Sequence, residues 1–368
     1  MRILFATTAN IGHFGPMTPF AHACTAAGHE VRVAAPASFA QNVHRAGLVH
    51  IPLGEPAPGE HAPIFAKLPG LPRLEADRIV IRDVFAGIDA RAALPTMEAA
   101  VEDFRPDLIV REMAEFSSFA VAGRRDVPQV EVAIGLTEVT AAAVGMLDDA
   151  LTALGCTQDG LLTSPLLSVV PPSLETAPTD RPVHRFSYPL PSATPPPPDI
   201  PGTGPLVYAS FGTVAAVLPP FAGAYRTLVD VLATRPVRAL VTVGPAGDAS
   251  LSTVDHIRVE HFVPQQDVMP HTAAAIGHGG FGTTMTALAA GVPLVVAPLF
   301  SMDQFMNAEA VARQGAGVAV DSVEDIGPAL DQVLTDPGYS KAARRLADEM
   351  ATLPPISNSV EVFTRAAQ

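Results

Sequence analysis

Residues 273–296, "AAAIGHGGFGTTMTALAAGVPLVV", decide the fold. "AAAI" is a short apolar run, "TTMTALAAG" has the composition of a helix closed by Gly291, and "PLVV" is apolar again. Strand, loop, helix and strand in that order are the unit of a parallel sheet with crossover helices. Gly277, His278, Gly279, Gly280 and Gly282 fill the loop. Glycine lets backbone N–H groups approach an anion closely, and the helix start adds unpaired donors and a partial positive charge. The loop can therefore cradle a diphosphate, with the His278 ring N–H and the Thr283 hydroxyl as further donors. The spacing lacks both the lysine of a P-loop and the G-x-G-x-x-G of a dinucleotide turn. A tight strand-to-helix turn with a solvent-capped histidine is the competing reading.

The same alternation extends in both directions. Before the midpoint the expected strands are "RILFAT", "EVRVAA", "DLIV" and "QVEVAI", and the helix "MTPFAHACTAAG" ends at Gly28 as a C-cap glycine should. After it come "PLVYASFG", "RALVTVG", "IRVEHFV", "AAAIGHGG" and "PLVVAPL". Between them, residues 171–205 are proline-dense, with "PPPP" at 195–198, which favours extended chain and excludes a long helix. We expect an α/β protein of two doubly wound domains: 1–195 with the linker 171–205, 203–350, and a terminal helix over 351–368 that packs back toward the first domain. A length of 368 residues agrees with two cores of roughly 150 to 200 residues each. Ligands of such sheets bind at strand carboxyl ends.

Composition excludes several functions. With 23 Lys+Arg against 37 Asp+Glu the formal charge is −14, which repels nucleic acid and anionic membrane surfaces. Cys24 and Cys156 form neither a disulfide framework nor part of a metal cluster. They read as free core thiols. "MRILFATTANIGHFGP" is a first strand rather than a signal peptide, and the run near Leu294 falls short of the ~18 to 20 apolar residues of a membrane span. A cytoplasmic protein is expected.

The loop lies within residues 259–318, "VEHFVPQQDVMPHTAAAIGHGGFGTTMTALAAGVPLVVAPLFSMDQFMNAEAVARQGAGV". This segment resembles the donor-binding signature of the GT-B nucleotide-sugar-dependent natural-product glycosyltransferases, and "GHFGP" and "FRPDLIVRE" extend the resemblance along the chain. The resemblance implies a cleft between two Rossmann-like domains. It implies that Phe262 stacks on the nucleobase, with Val263 supplying a main-chain contact and Gln265 nearby. Ser210 and Thr213 of "SFGT" would face the phosphates along with His278, Gly280, Gly282 and Thr283. Asp303 and Gln304 would hold the sugar hydroxyls, with Asn307 as their companion. A core phenylalanine, an ordinary βα turn and helix capping by Asp303 are the respective structural alternatives. In many plant relatives a glutamate eight residues after the loop histidine grips the ribose hydroxyls. Thr286 stands there in this chain. That departure favours a dTDP-sugar over a UDP-sugar.

The same resemblance makes His13 a general base for an acceptor hydroxyl, since imidazole titrates near operating pH. The family's orienting aspartate is replaced by Glu112 of "PDLIVREM", for which Arg111 offers a competing surface pairing. The implied reaction is an inverting, metal-independent glycosyl transfer from a dTDP-sugar co-substrate, without a further cofactor, to an apolar secondary-metabolite acceptor. The paired carboxylates of a glycosidase are not evident. Acceptor contacts are expected from 54–96 and from 136–167, where Met146, Leu147 and Leu151 recur at helical spacing as a core or pocket stripe. No nucleic acid and no membrane span are expected, and a homodimer is one assembly open to such a chain. A nucleotide-sugar epimerase of the same fold and a non-catalytic glycosyltransferase-like partner are the alternatives.

Overall fold

The computed structural model describes residues 1–368 except 177, 178, 180, 191–195, 197, 214, 218–220, 222, 253 and the side chain of Asp148. Part of the "PPPP" run and the proposed boundary at 195 thus lie outside the described residues. The chain forms two compact units, one of Met1–Val169, Thr176–Ser187 and Pro354–Gln368, the other of Val170–Glu175 and Tyr188–Leu353.

Among the described residues the first unit holds a seven-stranded parallel sheet in the order β3-β2-β1-β4-β5-β6-β7. The strands are β1 (Arg2–Ala6), β2 (Glu30–Pro36), β3 (Val49–Leu53), β4 (Leu108–Glu112), β5 (Gln129–Val132), β6 (Leu166–Ser168) and β7 (Val183–Arg185). β7 arises within the proline-dense stretch. Both faces of the central strands are covered by helices, so they read as unbroken apolar runs. β1 shows it: Ile3, Leu4, Phe5 and Ala6 are all buried.

The helix Ile11–Ala26 follows β1 and is capped by Asn10, whose side chain accepts from the Gly12 N–H. It begins before the "MTPFAHACTAAG" stretch and continues through Pro16 and Pro19. The carbonyls that each proline ring would crowd belong to Gly12 and Gly15, where no Cβ adds to the crowding. Gly28, at φ +83°, ends the helix in the left-handed conformation that favours glycine. Burial pushes the Cys24 thiol on this helix up to about 12, so it is an inert core thiol. The terminal helix Ser359–Ala366 belongs to the same unit: Phe363 meets Phe5 edge-on at 6.2 Å, and the Pro354 carbonyl accepts from the Ser187 N–H.

The second unit repeats the design. Its parallel sheet has the order β10-β9-β8-β11-β12-β13. The strands are β8 (Leu206–Ser210), β9 (Arg238–Thr242), β10 (Ile257–Glu260), β11 (Ala274–Gly277), β12 (Leu294–Val296) and β13 (Gly317–Ala319). Its core joins Val207, Phe211, Leu228, Val241, Ile276, Val295 and Leu330. In each sheet the strand order reverses once, between β1 and β4 and between β8 and β11. Connections leave the two strands at such a point in opposite directions and open a crevice at their carboxyl ends.

Candidate active site

In the first unit that crevice receives His13 and Glu112. His13 sits in the first turn of the helix after β1, and Glu112 is the last residue of β4. Their side chains meet with His13 Nδ1 3.2 Å from Glu112 Oε1, the histidine 18% exposed and the glutamate fully buried. The Thr8 N–H donates to Glu112 Oε1 at 3.1 Å and the Ala114 N–H to Oε2 at 2.6 Å. Burial works against charge on this carboxyl, but His13 and the two amides outweigh it and hold Glu112 below the usual glutamate range. An ionised carboxylate only accepts, so Nδ1 carries the proton and Nε2 the lone pair. Thr8 Oγ1 lies 2.9 Å from the same Nδ1.

The surface pairing of Glu112 with Arg111 does not occur. Successive strand residues face opposite sides of the sheet, which separates the two neighbours. Arg111 is fully buried and donates to Glu131 Oε2 at 2.6 Å, across the β4–β5 register that pairs these residues. Arg181 reaches the same carboxylate at 3.1 Å. Burial, opposed chiefly by Glu131, lowers the Arg111 pKa. Glu115 is also spoken for, as the cap of the helix Phe116–Arg124, accepting from the amides of Ser117 and Ser118.

A cavity of about 310 Å³ lies next to this pair, lined by neither His13 nor Glu112 but by residues that touch them. Thr8, which contacts His13, lies on its wall, as does Phe85, whose ring centroid is 5.8 Å from that of His13. The lining draws on the 54–96 region through Gly54, His61, Phe65, Val84 and Asp89, and takes nothing from 136–167. Leu147 and Leu151 instead pack with Phe116 and Phe119 in the core.

In the second unit the glycines explain themselves by what a Cβ would strike. At Gly280 it would lie 2.5 Å from His278 Nε2, and at Gly212, which has φ +75°, 2.9 Å from His278 Cε1. At Gly279, with φ +85°, it would collide with the Gln304 carbonyl oxygen. The imidazole is thus sandwiched by two backbone segments that only glycine leaves open. Burial lowers its pKa, against the pull of Asp303 and the Ser210 carbonyl, so the ring is neutral at pH 7. Its Nδ1 is buried without a partner among the described residues.

Gly280 caps the helix Phe281–Ala289 with no side-chain acceptor, which leaves the first-turn amides available. Gln265 Nε2 donates to Thr283 Oγ1 at 2.9 Å, so the threonine keeps its own proton to give. Ser210 Oγ is engaged inside its turn, donating to the Thr242 carbonyl at 3.1 Å and accepting from the Gly212 N–H at 3.2 Å. Thr213, one residue beyond, is exposed. Phe262 is 76% exposed, which removes the core-phenylalanine reading; Val263 beside it is half-buried.

Asp303 lies in the first turn of the helix Met302–Arg313 and accepts from Ser301 Oγ. Gln304 is buried, and its Oε1 accepts from the amides of Leu299 and Phe300, so only its amide NH₂ remains for a sugar. Asn307 donates to the Gly279 carbonyl at 2.7 Å and so braces the loop. Thr286 Oγ1 donates to the Gly282 carbonyl at 2.7 Å and meets Tyr188 Oη at 2.7 Å. Sequence reasoning missed Thr8, Gly212 and Tyr188. Of these, Gly212 alone had a local signal, the glycine of "SFGT".

Two switch-point crevices, one with a histidine–carboxylate pair and the other with a glycine cradle at a helix start, define the GT-B class of α/β enzymes. Residues 238–364 match the model of the "Erythromycin biosynthesis protein CIII-like, C-terminal domain" family. An L-demethylnoviosyl transferase of Streptomyces niveus is 32% identical across 96% of this chain and 95% of its own length. The elloramycin glycosyltransferase of Streptomyces olivaceus is 31% identical across 96% and 94%. A Streptomyces sp. SF2575 glycosyltransferase solved with thymidine diphosphate is 27% identical, with a TM-score of 0.79 over 99% of both chains. The chain belongs to the natural-product glycosyltransferases of the GT-B fold, and it is a glycosyltransferase.

Proposed function

We propose that this enzyme moves a sugar from a dTDP-sugar to a hydroxyl of an apolar secondary-metabolite acceptor, with inversion at the anomeric carbon. The observation that carries the reading is the 3.2 Å contact between His13 Nδ1 and the buried, ionised Glu112, which leaves Nε2 as the proton acceptor. His13 takes the acceptor's hydroxyl proton as the oxygen forms its bond to the anomeric carbon and the bond to the diphosphate breaks. The departing charge falls to the first-turn amides of Phe281–Ala289, the Thr283 hydroxyl and the His278 ring, so the mechanism needs no metal to carry it. Phe262 is the platform for the base, and Asp303 the acceptor for sugar hydroxyls.

Thymine as the base, in a nucleoside without a 2′-hydroxyl, is supported by the related structure holding thymidine diphosphate and by Thr286. The Thr286 hydroxyl is committed to Gly282 and Tyr188, leaving no carboxylate at this position to grip a ribose. Among the described residues no helix is long and apolar enough to cross a membrane.

The test is a transfer assay with a dTDP-sugar and an apolar phenolic polyketide, the product's anomeric configuration being read by NMR. Inversion is expected; a product of retained configuration overturns the mechanism, and conversion of the donor with no acceptor present favours an epimerase. Calorimetry should show dTDP binding more tightly than UDP, by about 1 to 3 kcal/mol at most for one hydroxyl. Equal or tighter UDP binding removes the donor assignment.

A further inference from the structure

The cavity beside His13 contains a second histidine–carboxylate pair. His61 Nε2 lies 2.7 Å from Asp89 Oδ1, and the two side chains are 35% and 29% exposed. Both residues line the cavity. The Phe65 ring lies nearly parallel to His61, at 5.8 Å and 19°, which fixes the plane of the imidazole.

The backbone that carries Asp89 is unusual. Residues Val80–Asp89 wind as a π-helix between the α-helices Arg73–Ile79 and Ala90–Phe104. Such wide turns are rare and concentrate at functional sites. Here the turn brings Val84, Phe85 and Asp89 to one wall. Phe85 touches His13, while Asp89, about one turn further along, holds His61. The two imidazoles are therefore attached to one rigid segment at points separated by roughly a helical pitch, ~5 Å.

The other acids of the wall are committed. Glu55 accepts from Ser38 at 2.6 Å, and Glu115 from the amides of Ser117 and Ser118. With Nε2–H given to Asp89, the second nitrogen of His61, Nδ1, has no partner among the described residues. It can accept an O–H. Apart from Thr7, Thr8 and Asn10 the rest of the wall is apolar, with Phe65, Val84, Phe85 and Phe116. A cavity of about 310 Å³ stands at the lower end of ligand pockets, which suits a small flat ring system better than a large macrocycle.

We infer that His61, held by Asp89, is a specificity-determining residue that accepts a hydrogen bond from a second hydroxyl of a planar, fused-ring acceptor, distinct from the hydroxyl that receives the sugar. This rests on the acceptor-pocket reading above. A half-buried polar group that a bound substrate covers favours the ligand whose hydroxyl pairs with it over the analogue lacking that hydroxyl, because with the latter the covered group is left unpaired.

The test uses binding rather than turnover. Two ligands are titrated by calorimetry into the wild type and into His61→Ala: an anthraquinone with one phenol at each end, and the same ring with a single phenol. The wild type should bind the two-phenol ring about tenfold more tightly, as one hydrogen bond warrants. In His61→Ala the ratio should fall to near one, whereas a merely structural loss would weaken both ligands together and preserve the ratio. A wild type that binds neither ligand or does not discriminate, or a ratio that survives in His61→Ala, overturns the inference. Adding a dTDP-sugar to the same samples separates the two claims. Discrimination in binding with no transfer to either ring upholds the role of His61 and counts against the glycosyl-transfer reading of this pocket.

Discussion

The two units share one topology and fill its reversal point in opposite ways. At the β1/β4 crevice side chains do the work: Glu112 is buried, ionised and wrapped by two amides, and it orients His13. At the β8/β11 crevice the backbone does the work. Side chains are deleted at Gly212, Gly279 and Gly280 so that amides and a neutral imidazole converge. The difference teaches that the doubly wound sheet supplies a place, and on the proposed function the residue sizes at a few positions decide whether that place moves a proton or holds an anion.

Removing one residue from each crevice should separate these roles. His13→Ala is expected to lower kcat for a hydroxyl acceptor by about 10² to 10⁴, the usual contribution of a positioned base, with dTDP affinity unchanged. Glu112→Gln keeps the size and removes the charge, so it should lose a comparable factor. Single-turnover rates at saturating donor are the measure. Full turnover in His13→Ala, under conditions where chemistry limits the rate, would sink the division of labour. His278→Ala should show the reverse emphasis: dTDP binding weakened by about 10- to 100-fold, as expected of a hydrogen bond to a charged group. Isothermal calorimetry would read it directly.

A subtler change probes the glycine argument alone. Gly280 has φ −62° and ψ 141°, which alanine adopts without strain, so Gly280→Ala perturbs only the space occupied by the imidazole. We expect about a tenfold loss in dTDP affinity, a smaller effect than deleting the ring. Unchanged affinity would mean that the packing of His278 against this residue is irrelevant to the donor. Gly279→Ala would be a poorer experiment, because positive φ and the collision with the Gln304 carbonyl would act together.

How much of this was legible in the sequence follows from the range of the signals. The alternation of strands and helices is local, and it revealed the α/β class and the loop after "AAAI". Glu112 was found by its position in a strand motif, yet its true environment was not. The burial of Arg111 against Glu131 depends on which strands are neighbours, and strand order is a long-range property. The helix start at Ile11 was hidden because two prolines and two glycines mimic a loop, and the capping by Asn10 outweighs them. β7 was hidden for the same reason, inside a proline-dense stretch. The exposure of Phe262 and the engagement of Gln304 by two amides are tertiary facts with no local pattern.

The smallest expected effect is on stability, and it too distinguishes the crevices. His278 is lowered from its ordinary 6.5 mainly by burial, so its contribution to stability is complete above 6.5. Below that pH the unfolded chain takes up a proton that the folded ring resists, and the contribution is lost progressively down to the folded value. Glu112 is held below its ordinary 4.5, so its contribution is complete above 4.5 and is lost as pH falls through the folded value. Both crevices therefore destabilise the fold on acidification, the glycine cradle first and the carboxylate pair later. The measurement is the thermal midpoint as a function of pH for the wild type, His278→Gln and Glu112→Gln. His278→Gln should flatten the decline that begins below 6.5. Glu112→Gln should leave that decline in place and flatten only the one below 4.5. If the two variants flatten the same window, the imidazole is not the neutral, desolvated group that the packing of Gly212 and Gly280 makes it. Saturating dTDP supplies an internal check: a phosphate beside His278 favours the protonated ring and raises its folded pKa back toward 6.5, so bound dTDP should shrink the upper decline in the wild type and leave that window of His278→Gln unchanged.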